Sequence, residues 1–155
     1  MDTPPPLRHF ALRDRLYVQA QQIWLILVAF VMEGCDRDAS RPPTITYGDL
    51  AMRMGYEDGR AGRTLSRQLG IINDYCVANQ VPVLNSVVVT QSTGMPATEL
   101  SFGYEDDGQI QPEKALQRLM VEQKKVMAYD WFSVRVPTTG TFRKVWEAKS
   151  STEED

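Results

Sequence analysis

The fold of this chain is decided by residues 44–96, whose sequence is TITYGDLAMRMGYEDGRAGRTLSRQLGIINDYCVANQVPVLNSVVVTQSTGMP. A short helix is predicted from Tyr47 to Met54, with Thr46 as its N-cap and Gly55 as its stop. After a turn, a second helix is predicted from Arg60 to Cys76. Two helices joined by so short a turn have the spacing of a helix-turn-helix.

The second helix has one apolar side and one basic side. At about 100° per residue, four apolar side chains fall within roughly 40° of one another: Leu65, Leu69, Ile72 and Cys76. Three arginines cluster on the opposite side: Arg60, Arg63 and Arg67. One acid, Asp74, is expected to return to that side about two turns later. The apolar side is predicted to pack, and the basic side could meet phosphate.

Strand signals follow this helix pair. The β-branched residues from Val83 to Thr90 predict a strand, and Ser92-Thr93-Gly94 predicts a turn. Leu100 to Tyr104 is a candidate return strand. Together with the two helices, these elements predict an α-rich α+β fold, namely a winged helix-turn-helix.

Further helices are predicted to surround this unit. Arg15 to Met32 is a candidate long N-terminal core helix, and Pro112 to Ala128 a candidate C-terminal packing helix. The packing helix has an apolar stripe of Ala115, Leu116, Leu119, Met120, Val126 and Met127.

The predicted domain organisation has three parts. Residues 1–10 are expected to form a flexible arm, and residues 11–135 the winged-helix domain. Residues 136–155 are expected to be a hairpin or a disordered acidic tail, because Val134 to Trp146 is rich in β-formers and the chain from Glu147 onward is polar.

Composition limits the function and location of the protein. The 155 residues are 43% hydrophobic, which suits one domain with a proper core. The longest apolar run, Ile23 to Met32, is ten residues, about half of what a bilayer-spanning helix needs. The opening Met-Asp-Thr-Pro-Pro-Pro lacks the pattern of an export signal. We therefore expect a cytoplasmic protein without a membrane partner.

Candidates for catalysis are few. The single histidine, His9, lies in the predicted arm, and neither Cys35 nor Cys76 has a histidine at a suggestive spacing. The acids Glu105 to Asp107 are more typical of a solvated turn than of a cation site. No zinc-ligand cluster, phosphate loop or dinucleotide fingerprint is present in the sequence, so we expect no cofactor, no metal and no enzymatic activity.

The chain contains, in this order, the segments Thr46 to Ala51, Gly62 to Leu65 and Leu84 to Val89, followed by Ser92-Thr93-Gly94. Together they resemble the C-terminal winged-helix domain of the alkylguanine-DNA alkyltransferases and the alkyltransferase-like proteins. The likeness covers about a third of the chain. It implies that Tyr47 presses on the phosphate of a flipped nucleotide and that Arg63 intercalates in place of the base.

The chain departs from that family at the reactive motif. The family's Pro-Cys-His-Arg-Val-Val falls on Leu84 to Val89, so that Asn85 and Ser86 replace the nucleophile and its histidine. Alkyl transfer needs an activated thiolate, which this pair cannot supply. The chain also resembles a looser group of small bacterial and mobile-element proteins with a Thr-Gly-x-Pro turn and a late Asp-Trp, here Thr93 to Pro96 and Asp130-Trp131.

Two functions of different classes follow. The first is a non-enzymatic protein that contacts duplex or damaged DNA through Tyr47, Arg60, Arg63 and Arg67. The alternative is a protein-interaction module in which the wing region, the valine strand or the apolar C-terminal segment docks a partner protein. The net charge of −3 favours the alternative, because DNA binding relies on releasing counterions from phosphates, whereas the arginine cluster favours the first. The sequence does not determine the oligomeric state.

Overall fold

The computed structural model describes residues 3, 14–34, 42–96 and 112–153. Several sequence predictions therefore lie outside the described residues: all of the arm at residues 1–10 except Thr3, the return strand from Leu100 to Tyr104, Glu105 to Asp107, and Cys35.

Five α-helices, three 3-10 helices and two short strands make up the described residues. Their order is α1 (Arg15–Gly34), β1 (Ile45–Thr46), α2 (Tyr47–Arg53), a 3-10 helix (Gly59–Leu65), α3 (Ser66–Ala78), a 3-10 helix (Leu84–Val87), β2 (Val88–Val89), α4 (Pro112–Ala128), a 3-10 helix (Trp131–Ser133) and α5 (Thr139–Glu153). The helix-rich α+β class is thus confirmed. The two strands pair in parallel, with Ile45 opposite Val88 and Thr46 opposite Val89.

Helix α1 is the central core helix, as its apolar sequence predicts. Its Trp24 makes edge-to-face contacts with rings from three other segments, at centroid distances of 5.5 Å to Tyr75, 5.6 Å to Trp131 and 6.3 Å to Phe142. By length and composition α1 is the one helix of the described residues that could cross a bilayer, a property that buried core helices share. Here one side of it is covered by α3, α4 and α5.

Local signals correctly placed the start and end of the short second helix. Thr46 caps α2, since its Oγ1 accepts a hydrogen bond from the Asp49 amide at 3.1 Å. Gly55 follows the helix with φ +101°, a conformation that favours glycine. The start of α4 at Pro112 and the turn around Gly94, where φ is +66°, are also confirmed.

The helix predicted from Arg60 to Cys76 is not continuous. Its first part is the Gly59–Leu65 3-10 helix, and the α-helical part begins only at Ser66. The predicted core side is nevertheless confirmed, because Leu65, Leu69, Ile72 and Cys76 are all buried. The 3-10 helix, which has three residues per turn, packs against α2 before α3 begins.

The strand predicted from Val83 to Thr90 is mostly wrong. Residues Leu84–Val87 form a 3-10 helix, and only Val88–Val89 pair as a strand. A ladder needs a partner, and β1 offers two residues before α2 begins at Tyr47. The β-branched side chains are explained by burial instead, since every residue from 83 to 89 is buried.

The hairpin predicted within Val134 to Trp146, and the unfolded chain predicted after Glu147, are wrong. This region contains α5, which extends to Glu153. Thr138 and Thr141 start the helix by exchanging hydrogen bonds, with the Thr138 amide donating to Thr141 Oγ1 at 2.8 Å and the Thr141 amide to Thr138 Oγ1 at 3.2 Å. Phe142 is fully buried against Trp24 and Tyr75, so tertiary packing overrides β propensity.

Helix α4 packs on α1 with part of its predicted stripe. Leu119 and Val126 are buried, whereas Leu116 is exposed, contrary to the prediction. The remaining buried positions of α4 are polar: Glu122 and Gln123. The buried face of α4 therefore differs from the predicted apolar stripe, because it includes Glu122 and Gln123 and excludes Leu116.

Candidate nucleic-acid interface

A close backbone contact brings Gly62, the residue before Arg63, against Tyr47. A Cβ atom on Gly62 would lie 2.6 Å from the carbonyl carbon and oxygen of Tyr47, so only glycine fits at this position. The neighbouring contact is also between glycines, with Gly48 Cα 3.4 Å from a Cβ placed on Gly59. Arg63 follows Gly62 directly, so its Cα lies about 3.8 Å from the Gly62 Cα.

The three predicted arginines, which we call the arginine surface, are all exposed. The 3-10 geometry aligns Arg60 and Arg63, because side chains three residues apart eclipse one another in such a helix. Arg67 follows in the first turn of α3. The three side chains thus lie on, or just after, the 3-10 helix whose Gly62 contacts the backbone of the half-buried Tyr47.

The arginine surface has few ion pairs of its own, so most of it is available to an external anion. Arg60 Nε lies 3.5 Å from Asp58 Oδ2, but the two side chains are 90% and 64% exposed, and such surface pairs contribute little. Arg63 and Arg67 form no ion pair within the part of the chain that the structure describes. A phosphate could therefore approach them without displacing a strong internal partner.

The acids near this surface weaken its positive field. Glu57 and Asp58 are exposed in the preceding turn, and Asp49 is exposed in the first turn of α2. Asp74, which was expected to come round to the arginine side, instead accepts a hydrogen bond from Lys149 of α5 at 3.2 Å. Its carboxylate is therefore held against α5.

A chain of amides fixes the orientation of this unit on α1. Gln68 Nε2 donates to Gln19 Oε1 at 2.7 Å, and Gln19 Nε2 donates to the Tyr56 hydroxyl at 3.0 Å. These bonds link α3, α1 and the turn that precedes the arginine surface. Sequence reasoning did not find them, because Gln68 follows Arg67 and looks like another exposed polar residue.

Asn85 and Ser86 do not lie on any surface. They are 3% and 0% exposed, and Asn85 Oδ1 and Ser86 Oγ have no hydrogen-bond partner within the described residues. Helix α4 fixes this segment from behind, since Glu122 Oε1 accepts from the Val83 amide and Gln123 Nε2 donates to the Ser86 carbonyl, both at 2.9 Å. Asn85 and Ser86 are therefore closed to a bulky ligand.

The signal for these two anchoring residues was present in the sequence. Leu119, Glu122, Gln123 and Val126 have the i, i+3, i+4, i+7 spacing of a single helix face. Polar residues at core-facing positions predict buried hydrogen bonds. The stripe predicted from apolar residues alone does not include Glu122 and Gln123.

The described cysteine is not a reactive group. Cys76 is fully buried, and burial raises the pKa of its thiol to about 12. The thiolate is the nucleophilic form, so this side chain is protonated and unreactive at neutral pH. Within the described ranges, no three histidine, cysteine or acidic side chains are grouped so that they could hold a metal ion.

Comparison with known proteins does not assign the chain to a family. No protein-family model, no curated protein and no solved structure matches it. Its function has to be inferred from the arginine surface and its surroundings.

Proposed function

We propose that residues 45–96 form a winged-helix unit that binds duplex DNA without catalysing a reaction. The observation that carries this proposal is the arginine surface, whose three side chains are exposed on, or just after, the 3-10 helix that packs against α2. Arginine suits phosphate because its planar group can donate two parallel hydrogen bonds to one anion. The first turn of a recognition helix is also where helix-turn-helix proteins meet DNA.

Tyr47 and Arg63 take separate roles in this proposal. The contact between Tyr47 and Gly62 supports a rigid arrangement in which both side chains belong to one site. Tyr47 presses on a phosphate and Arg63 enters the base stack, as the resemblance to the alkyltransferases implies. Damaged or mismatched duplexes are the preferred ligands in that case, because extruding a base costs less there.

Binding to intact duplex is expected to be weak. The chain has a net charge of −3, and exposed acids adjoin the arginine surface. Affinity for undamaged, unspecific duplex should fall in the range of about 10⁻⁴ to 10⁻⁶ M at physiological salt.

Titration of duplex, mismatched and single-stranded oligonucleotides at low salt tests the proposal. Each phosphate contact contributes about −0.9 to the slope of log K against log salt for duplex DNA. Replacing Arg60, Arg63 and Arg67 by alanine should abolish measurable binding, and each single replacement should flatten the slope by about one unit. Arg63→Ala should weaken binding most, and Tyr47→Phe less, because most of the ring remains.

A matched control separates a local effect from net charge. The variant Lys114→Ala, Lys124→Ala, Lys144→Ala removes three exposed positive charges from α4 and α5 and leaves the arginine surface intact. It should bind nearly as well as the natural protein. If no oligonucleotide binds, or if the triple arginine variant binds as the natural protein does, the DNA-binding proposal is wrong.

A second candidate function, docking of a partner protein, is supported by exposed apolar side chains after α4. Phe132 is 79% exposed and Val136 47% exposed. The segment that carries them crosses α1, where Gln21 Nε2 donates to the Pro137 carbonyl at 2.9 Å. Leu25, one turn further along α1, is also exposed. Single exposed apolar residues are common on proteins, but a group of them is typical of interaction sites.

The same titration discriminates between the two functions. DNA binding that survives Phe132→Ser and Val136→Ser but not the arginine replacements supports the first. If no oligonucleotide binds, partner docking is the better explanation. Sedimentation of the natural protein and of the Phe132→Ser, Val136→Ser variant then tests whether these two residues mediate association.

A further inference from the structure

The core helix α1 carries a second row of side chains on the side opposite its buried face. Its buried face includes Ala20, Ile23, Leu27 and Val31. At about 100° per residue, the opposite side is formed by residues at alternating steps of three and four, which we call the outer stripe: Arg15, Val18, Gln22, Leu25, Ala29 and Met32, with Glu33 beside the last. Alternating steps of three and four are the spacing of the contact positions in a coiled coil.

The outer stripe is more apolar than the outer side of a surface helix usually is. Leu25 at its centre is 49% exposed, and Ala29 is also exposed. Val18 and Met32 are half-buried. The only polar member between the two ends is Gln22. A polar outer side would need no partner, whereas this row of apolar side chains would be stabilised by one.

The charges at the two ends of α1 are opposite to those that a single helix favours. Arg15 is its first residue and Glu33 its last but one, and the helix has no acid in its first turn and no base in its last. The helix dipole favours the reverse arrangement. Neither side chain forms an ion pair within the part of the chain that the structure describes. Within one copy of the protein, these two charges therefore do not stabilise α1.

Two copies of the outer stripe complement each other when the helices run antiparallel. Arg15 and Glu33 are eighteen residues apart, which is about five whole turns or 27 Å, so they lie on one line along the helix. In a twofold-symmetric antiparallel pair, Arg15 of each copy lies opposite Glu33 of the other and beside the negative end of its helix dipole. Val18 then lies opposite Ala29. A parallel pair would place like charges together at both ends.

We propose that the outer stripe of α1 binds the same stripe of a second copy of this chain, forming an antiparallel homodimer. Val18, Leu25 and Ala29 make its apolar centre, and Arg15 pairs with Glu33 at both ends. The interface is one helix wide, which places it in the class below about 1,200 Å² whose complexes are weak and reversible. This inference goes beyond the DNA-binding function proposed above and does not depend on it.

The first test removes apolar contact at the centre of the stripe. Sedimentation equilibrium of the natural protein from micromolar to millimolar concentration should show a dimer that increases with concentration. Leu25→Gln should raise the dissociation constant by about tenfold or more, because the symmetry removes two leucines from the interface. The matched control is Leu116→Gln on α4, since Leu116 is 45% exposed and lies outside the stripe. This control should associate as the natural protein does.

The second test reverses the charges. Arg15→Glu and Glu33→Arg should each weaken self-association by roughly tenfold, because each change replaces two opposite-charge contacts by two like-charge contacts. Both changes suit the helix dipole, so neither should destabilise the fold. When the two variants are mixed, opposite charges meet again at both ends. The mixture should therefore form a heterodimer with about the affinity of the natural dimer, which native mass spectrometry can identify by its mass.

The outcomes decide between this dimer and other occupants of the stripe. Recovery of association in the mixture, together with weak association of each charge variant alone, supports the antiparallel pair. A natural protein that stays monomeric at millimolar concentration overturns it, as do charge variants that fail to pair when mixed. A dimer lost with Phe132→Ser, Val136→Ser but kept with Leu25→Gln would place association on the other apolar group. Monomers that bind phosphatidylcholine vesicles through Leu25 would assign the stripe to a membrane and contradict the proposal.

Discussion

Two of the segments that resemble the alkyltransferases differ in exposure: the one that contributes Arg63 to the arginine surface is partly exposed, whereas the residues from Leu84 to Val89 are buried. Arg60, Arg63 and Arg67 are exposed, and Val83–Val89 is buried throughout. The first region can exchange side chains without disturbing the core, whereas the second is held by hydrogen bonds from α4. A binding function is therefore easier to assign to the first region, and a structural role to the second.

The largest expected effect contrasts the two sides of one helix. Leu69→Ala should lower the free energy of unfolding by about 2–5 kcal/mol, because Leu69 is buried in the core. Arg67→Ala, two residues earlier on the exposed side, should change it by less than about 0.5 kcal/mol. Urea unfolding of both variants measures the difference. Equal effects would show that the helix is wrongly oriented and would remove the basis of the arginine surface.

A glycine provides the exception within the exposed region. Gly62→Ala should cost about 1–3 kcal/mol, because its Cβ would press on the Tyr47 backbone and separate α2 from the 3-10 helix. Gly140→Ala is the control, since a Cβ there meets only Thr138 Oγ1 at 3.7 Å, and alanine favours the helix. A tolerated Gly62→Ala would contradict the close contact between Gly62 and Tyr47.

The buried segment should be sensitive to its hydrogen-bond partner on α4. Glu122→Ala should cost about 1–3 kcal/mol, because it leaves the Val83 amide buried without its acceptor. Glu122→Gln keeps an oxygen in place and should cost less. Chemical denaturation of the two variants gives the comparison. A loss for alanine no greater than for glutamine would mean that the hydrogen bond does not stabilise Val83–Val89.

The smallest expected effect is a lack of reaction. Incubation with methylated-guanine DNA should leave the mass of the protein unchanged, because the resemblance to the alkyltransferases implies that Asn85 and Ser86 stand where that family has its nucleophile and histidine. Cys76 should resist a thiol-alkylating reagent at about pH 8 in the folded state and react after unfolding, since burial keeps its thiol protonated. A gain of one methyl group on Cys76 would overturn this view of the buried segment.

The elements that the sequence determined by itself are those with a local cause. Thr46 and Gly55 define α2 through capping and a positive φ, Pro112 starts α4, and the 3.6-residue period predicts which side chains of α3 are buried. The same period predicts the exposure of the three arginines, although Arg60 and Arg63 lie in the 3-10 helix that precedes α3. None of these features needs knowledge of distant residues.

Tertiary structure decided the elements whose partners are remote in the chain. The valines became a strand only where β1 could pair with them, and the residues after Pro137 became α5 because Phe142 fits against Trp24 and Tyr75. Gly62 lies against the Tyr47 backbone, and the strand register places the turn after Thr90 at the same end of the strand pair as Tyr47. Propensity is a small energy per residue, whereas burial of an aromatic side chain contributes several times more, so packing prevails wherever the two disagree.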